Sequence, residues 1–241
     1  MIEKDSIIVI GDSHIGLGDG AEKRIVAWLD KLERTEPRAL YLNGDVFHYF
    51  IGDEKFHTNA VRNFLGKLNE MKRSGIDVFY IEGNRDFFVR GSYAEPAVTR
   101  VTSRESFFAG DRRFFLTHGD MINDRDYPYR FWRSVSKNAI TRFAVKLWPE
   151  KPARRFVENV ERKLSKTNFK HKRRLPTELM QHYGHKRAAE GYDVTVFGHF
   201  HHKLLLESNG STVVVLPAWY ESEEAMVISP TTGEFDFATV E

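Results

Sequence analysis

The chain has 241 residues, a formal net charge of +2 and 41% apolar residues, enough for the buried core of one large domain or two small ones. It contains no Cys, which excludes a disulfide scaffold and a thiolate metal site. No window holds the roughly 20 apolar residues that cross a bilayer, and residues 1–5 lead into a strand without a signal-peptide core, so the expected location is cytoplasmic.

Residues 7–10 form an apolar run that stops at Gly11 and delivers Asp12 and His14 two positions apart. Alternate residues of an extended or tightly turned backbone project the same way, so a carboxylate and an imidazole can close on one ion. Alone, such a pair is more often two ordinary polar loop residues. Residues 21–33 then read as a helix through Ile25, Val26, Leu29 and Leu32. A second apolar run, 39–42, ends in Asn43-Gly44-Asp45. A helical pattern over 56–71, through Val61, Phe64, Leu65 and Leu68, leads to a third run, 78–81, which ends in Glu82-Gly83-Asn84-Arg85-Asp86. This β-α-β-α-β order predicts parallel strands with right-handed crossovers.

Shorter runs at 97–101 and 106–108 precede 114–116, which ends in Thr117-His118-Gly119-Asp120. Residues 194–197 end in Gly198-His199-Phe200-His201-His202. The last third, 203–206, 213–216, 225–228 and 235–240, reads as hairpins with turns at Asn209-Gly210 and Thr232-Gly233, predicting a second sheet packed on the first. One domain over 1–241 is expected, with an insertion over about 125–190.

That insertion is chemically distinct. Residues 130–174 hold fifteen Lys or Arg and three acids, a local charge of +12 against −10 for the rest of the chain. Trp132, Val135, Ala139, Ile140, Phe143 and Leu147 recur at helical spacing, then Phe156, Val157, Val160 and Leu164 after Pro149 and Pro152, so helices broken around the prolines are expected. Such a face can be a solvated basic surface, a surface for anionic lipid, or a nucleic-acid surface. The aromatic and long aliphatic side chains, and the lack of a nucleic-acid motif, favour lipid.

Five strand-like runs thus finish in a glycine-marked turn bearing Asp, Asn or His, and strand ends of an α/β sheet converge on one rim. Asp12, His14, Asp45, Asn84, His118, His199 and His201 are carboxylate, amide and imidazole donors suited to ions such as Mn, Fe or Zn. Seven donors are too many for one catalytic ion and suit two, with Asp45 shared, an arrangement able to activate water and neutralise a phosphoryl group.

The motifs Gly11-Asp12-x-His14, Gly44-Asp45, Gly83-Asn84, His118-Gly119-Asp120 and Gly198-His199-x-His201 resemble, in order, those of the calcineurin-like metallophosphoesterases. The resemblance implies an α/β fold built as a two-layer β-sandwich flanked by helices. It places Asp12, His14, Asp45 and His201 on one ion and Asp45, Asn84, His118 and His199 on the other. Many members carry His after the motif Asn, where this chain has Arg85. That replacement, Asp45-Val46-Phe47, Gly52-Asp53, the surroundings of Asp126 and Tyr129, and the basic insertion are similar to the UDP-2,3-diacylglucosamine pyrophosphohydrolase family.

This second resemblance implies attack of a metal-bound hydroxide on the α-phosphorus of UDP-2,3-diacylglucosamine, giving UMP and 2,3-diacylglucosamine 1-phosphate (lipid X) in lipid A biosynthesis. It implies Asp45, Asn84, Arg85, His118 and His199 as catalytic residues, and Asn84, Arg85, Asp126, Tyr129, Ser165, Asn168, Lys172 and His199 as substrate contacts. Two divalent ions are implied, Mn first, with Fe, Co or Zn compatible. The implied location is peripheral, on an anionic cytoplasmic face of the inner membrane, with neither nucleic acid nor an obligate protein partner. Two positions depart from the family pattern: Phe169 stands where an Asn is expected, with Asn168 adjacent, and Phe200 stands where Thr is common. The alternative is another calcineurin-like nucleotide-diphosphate or phospholipid phosphodiesterase.

From its chemistry Arg85 suits a diphosphate, because a planar fork pairs with two oxygens, or else a salt bridge with Asp86 or another rim acid. Asp120 reads as the acceptor that orients a ligand histidine or its loop, or as a loop cap. His48, His57, His171, His182, His185 and His202 lack the motif context and are left outside the ligand set.

Overall fold

The structure, a computed structural model, describes residues 2–17, 20–167 and 175–240. The chain runs β1 (Ile7–Ile10), α1 (Ala21–Glu33), β2 (Ala39–Asn43), β3 (Phe50–Ile51), α2 (Asn59–Arg73), β4 (Asp77–Ile81), β5 (Asp86–Phe87), β6 (Arg100–Thr102), β7 (Arg104–Ala109) and β8 (Arg112–Thr117). Then come α3 (Tyr127–Ser136), α4 (Ala139–Leu147), α5 (Glu150–Thr167), α6 (Thr177–Ala188), β9 (Val194–Phe197), β10 (Leu204–Ser208), β11 (Ser211–Val215), α7 (Trp219–Ser222), β12 (Ala225–Ile228) and β13 (Phe235–Ala238).

Residue alternation builds the layers. Ile8 and Ile10 of β1, Leu40 and Leu42 of β2, and Val78 and Tyr80 of β4 face Ile25, Leu29 and Leu32 of α1 and Phe64 and Leu68 of α2 in one buried cluster. Their neighbours Ile7, Val9, Ala39, Tyr41 and Ile81 face the opposite way, onto Phe114, Leu116, Val194, Val196 and Val214 of the second sheet. On that sheet's outer face Phe197, Val213 and Val215 meet Met180 of α6. The result is helices, sheet, sheet, helix, with the central strands β1, β2 and β9 buried on both faces, as their apolar runs require.

The first sheet has the order β13-β12-β1-β2-β4-β6 and the second β10-β11-β9-β8-β7. β1, β2 and β4 are mutually parallel, as the β-α-β-α-β reading expects. The last third divides between the sheets rather than forming one: β10 and β11 extend the second, while β12 pairs antiparallel with β1 and β13 forms the edge of the first. The sequence shows each hairpin through its turn, Asn209 at φ 49° and Gly210 at φ 76° for one of them, but not the partner it docks against. The second helix begins at Asn59, not near residue 56, because the Thr58 side chain accepts the Val61 N–H, while Asp53 caps the short turn Glu54–Phe56.

In the insertion, Asp126 caps α3 and Asn138 caps α4, and Trp148 leaves the helix at ψ 132° before Pro149. Nine of the eleven large apolar side chains that are exposed among the described residues lie between Tyr127 and Phe156. α6, within the expected insertion, instead packs on the second sheet.

Candidate metal centre

All seven expected ligands sit just beyond strand ends, and both sheets contribute. β1 delivers Asp12 and His14, β2 Asp45, β4 Asn84, β8 His118, and β9 His199 and His201. The loops are laced together: Asp12 N–H donates to Gly44 O (3.0 Å), His14 N–H to Asp45 O (3.1 Å) and Gly198 N–H to His118 O (2.9 Å). Asp12, His14, Asp45, His199 and His201 all have left-handed φ, between 44° and 66°. A non-glycine residue held there costs about 1–2 kcal/mol, so five together mark a place where the fold imposes backbone direction to aim side chains.

The motif glycines have a steric reason. A Cβ on Gly44 would lie 2.3 Å from His118 Nδ1, and one on Gly83 would lie 2.3 Å from Asp45 Oδ1 and 2.4 Å from Asp45 N. Gly83→Ala is therefore expected to displace Asp45. The variant should bind Mn²⁺ more weakly than the wild type by titration calorimetry; unchanged affinity would disprove this reason for Gly83.

Asp12, His14 and His201 each place a ligand atom within 4.8 Å of the others, and Asp12, Asp45 and His118 do the same. His14 Nε2 lies 3.2 Å from His201 Nε2, and Asp12 Oδ1 lies 3.2 Å from His201 Nε2 and 3.7 Å from His14 Nε2. Asn84 Oδ1 lies 3.1 Å from His118 Nε2 and 2.9 Å from His199 Nδ1, which joins Asn84 and His199 to His118. Asp45 Oδ1 is 3.4 Å from His118 Nε2 and accepts the Arg85 N–H at 2.8 Å. Asp12 is thus common to both carboxylate-containing groups, while Asp45 ties the His118 side to Arg85.

Burial pushes His14 and His199 down to about 4, so both imidazoles are neutral, the form that ligates. Burial works against a charge on Asp12, yet the His201 imidazole outweighs it and leaves the carboxyl at about 2. For Asp45, His118 and the charges beyond it likewise overcome burial, and its pKa falls well below the carboxylate range. Burial also opposes a charge on His118, but Asp45 lifts it to about 10. That negative potential attracts any cation, proton or metal.

The donors fit divalent ions. Asp12 Oδ1 is buried and accepts no hydrogen bond among the described residues, although carboxylate oxygens in an interior are normally satisfied. Oxygen and imidazole nitrogen without sulfur suit Mn, Fe, Co or Zn. Asp12, His14, Asp45, Asn84, His118, His199 and His201 are the residues that would hold them.

Other expected site residues are dispersed around this rim. Arg85 Nε lies 3.4 Å from Asp45 Oδ2, so its ionic partner is Asp45 rather than Asp86, and its Nη1 donates to His48 O. Tyr129 donates its hydroxyl to Asp120 Oδ2 (2.6 Å), and Asp126 accepts the Tyr129 N–H at the start of α3. Asn168 and Lys172 lie outside the described residues, as does the side chain of Ser165. Asp120 does not orient His118: that ring's Nδ1 meets Asn43 O at 3.0 Å, while Asp120 takes Tyr129 and Arg133 from α3. His185 bonds Ser208 O, away from the centre.

Two contributors carry no motif of their own. Asp86 is buried; its Oδ2 accepts the N–H groups of Asp45 and Gly83, each at 2.8 Å, and its Oδ1 the Tyr80 hydroxyl at 2.9 Å. Lys137, which caps the C-terminus of α3, donates to Gly83 O (2.5 Å) and Asp86 O (2.7 Å). The only available signal for Asp86 was its adjacency to Asn84-Arg85; Lys137 had none.

Residues 6–203 match the calcineurin-like phosphoesterase family, and the chain belongs to that family. With this ligand set it is a metal-dependent hydrolase. Among curated relatives it is 24% identical to the UDP-2,3-diacylglucosamine hydrolase of Haemophilus influenzae (strain PittGG), over 95% of this chain and 96% of that one. It is 28% identical to the protein of the same name from Pseudomonas fluorescens (strain Pf0-1), with 96% of each covered. The fold is shared with a dimetal phosphatase from Danio rerio (TM-score 0.51, 11% identity, covering 98% of this chain and 99% of that one). It is also shared with a hypothetical protein from Pyrococcus horikoshii (TM-score 0.55, 12% identity, covering 98% and 88%).

Proposed function

We propose that the protein hydrolyses the diphosphate of UDP-2,3-diacylglucosamine at the α-phosphorus, giving UMP and 2,3-diacylglucosamine 1-phosphate in lipid A biosynthesis. The observation that carries this reading is the convergence of seven N and O donors beside Arg85, on a chain whose exposed apolar residues are concentrated in the adjoining basic helices. The relatives named above support the substrate, because the likeness spans the insertion as well as the sandwich. We read 1–241 as one domain with the insertion over about 125–190.

Two divalent ions, Mn²⁺ first, would supply activation of water and neutralisation of phosphoryl charge. The chain's own residues do the rest. Asp45 and Asp12 set the negative potential that gathers cations, and neutral His14 and His199 offer nitrogen lone pairs. Asn84 turns its Oδ1 toward His118 and His199, which leaves its amide nitrogen to donate to a phosphoryl oxygen. Arg85, held by Asp45 and His48 O, presents the remaining guanidinium N–H groups to the diphosphate.

α3, α4 and α5 receive the acyl chains and rest on anionic lipid at the cytoplasmic face. Ile140, Phe143, Leu147 and Phe156 are exposed apolar groups on helices rich in Arg and Lys. No helix among the described residues is long and apolar enough to cross a membrane. Each acyl methylene buried contributes about 0.8 kcal/mol, about fourfold in efficiency. Hydrolysis of matched UDP-sugars with long, short and absent acyl chains should therefore fall in that order. Phe143→Ser or Phe156→Ser should flatten the series while metal content and folding are retained. Equal efficiencies for the wild-type series would sink the lipid reading and leave the dimetal phosphoesterase intact; release of other nucleotide products from a mixed panel would point to a different diester.

A further inference from the structure

The insertion does more at this site than face lipid. Tyr129 and Arg133 of α3 and Lys137, the residue that caps its C-terminus, follow one another at four-residue spacing and all reach toward the same rim. All three engage the loops that carry expected ligands: Tyr129 and Arg133 close on Asp120, two residues past His118, and Lys137 bridges Gly83 O and Asp86 O, the carbonyls that bracket Asn84 and Arg85.

We propose that Lys137 is a positioning residue: its ammonium clamps the Gly83–Asp86 turn from the α3 side and so holds Asn84 and Arg85 in the geometry that hydrolysis needs. The turn is gripped on two sides. Within it, Asp86 Oδ2 gathers the N–H groups of Gly83 and Asp45; from α3, Lys137 gathers the two carbonyls. Arg85 N–H is thereby aligned on Asp45 Oδ1 at 2.8 Å.

A partly buried ammonium is a costly way to pack a loop. An apolar side chain would fill the same space without a desolvation penalty, but it could not satisfy two carbonyls with fixed direction. Lys137 Nζ also sits 5.2 Å from the centre of the Phe87 ring, one residue beyond the turn. A neighbouring tether repeats the pattern: Arg142 of α4 donates to Arg90 O and Gly91 O, so the insertion grips the segment after β4 at two places. The order of the Asn84-Arg85 turn is consequently coupled to the docking of α3.

This inference rests on the phosphoesterase chemistry of the site and not on the identity of the lipid substrate, so its test uses bis(p-nitrophenyl) phosphate with Mn²⁺. Lys137→Met should keep the fold by circular dichroism and keep KM close to wild type. Its kcat should fall by about 10²-fold, the loss that a misplacement of about 1 Å produces. Lys137→Arg should recover part of kcat, since a guanidinium can also span two carbonyls. Independently of turnover, hydrogen exchange of the amides of residues 83–87 should accelerate in Lys137→Met and not in the Lys137→Arg variant. Wild-type kcat and wild-type exchange in Lys137→Met would overturn the proposal. So would a loss confined to melting temperature with kcat per folded molecule unchanged. If Lys137→Met does not fold, Lys137→Gln decides: faster exchange at 83–87 with a lowered kcat supports the clamp, and wild-type values for both readouts in Lys137→Gln remove it. Failure of the wild type to cleave UDP-2,3-diacylglucosamine would leave these readouts untouched.

Discussion

Asp45→Ala is expected to lower turnover by at least about 10²-fold, the scale on which one electrostatic contact in a transition state is lost. The carboxylate is buried, with His118 Nε2 at 3.4 Å on one oxygen and Arg85 Nε at 3.4 Å on the other. Removing it leaves two cationic partners without a counter-charge and frees the Arg85 N–H that it now accepts. Asp45→Asn separates the effects, because it keeps the shape and a hydrogen-bond acceptor while discarding the charge. Both variants should show reduced metal content, and the rise in melting temperature that saturating Mn²⁺ confers on the wild type should shrink. A folded Asp45→Ala protein with unchanged metal content and turnover would refute the role of Asp45 at the centre. The proposal that Asp45 serves both ions makes a sharper demand: bound metal per chain should fall below one half of the wild-type value, not by one ion of two.

Arg85→Ala should preserve bound metal yet abolish most UDP-2,3-diacylglucosamine hydrolysis, a loss of about 10²–10³-fold if it removes a charge-stabilising donor from the transition state. The guanidinium is largely enclosed, tied at one edge to Asp45 and at another to His48 O, and is therefore pre-aimed. That preorganisation predicts the ranking of replacements. Lysine restores a charge but not a planar fork, so Arg85→Lys should recover only part of the efficiency. Because Arg85 also lies beside Asp45, part of the loss in Arg85→Ala belongs to a less firmly held carboxylate; metal content measured on the same sample separates the two. Wild-type efficiency in both variants would mean that the diphosphate is gripped elsewhere.

Much of this protein was legible in one dimension. Apolar runs of four or five residues identify strands buried on both faces, and the alternation of helix and strand over the first third dictates parallel pairing, because a crossover helix can return the chain no other way. The metal-site candidates were legible for a related reason. A strand end is a local event in sequence, and parallel strands bring their carboxyl ends to the same rim, so Asp12, His14, Asp45, Asn84, His118, His199 and His201 could be grouped without knowing any distance. The caps of α2, α3 and α4 are likewise local, each being a side chain bonded to an N–H three residues on.

What only the tertiary structure decided are the contacts between segments remote in sequence that involve main-chain atoms, which have no sequence identity to read. The sheet that each carboxyl-terminal hairpin joins depends on which edge is open after β1 and β9 have paired. Asp120 was legible as an orienting acid, but its partners come from α3, while His118 is oriented by a carbonyl of Asn43, 75 residues away. Asp86 acts by collecting N–H groups from its own turn and from Asp45, 41 residues distant, and Lys137 by meeting two carbonyls, up to 54 residues distant. A backbone carbonyl or amide is present at almost every position, so no residue pattern announces which of them a charge will bind; that is settled only when helix α3 docks and the left-handed turns at the strand ends have aimed their peptide groups.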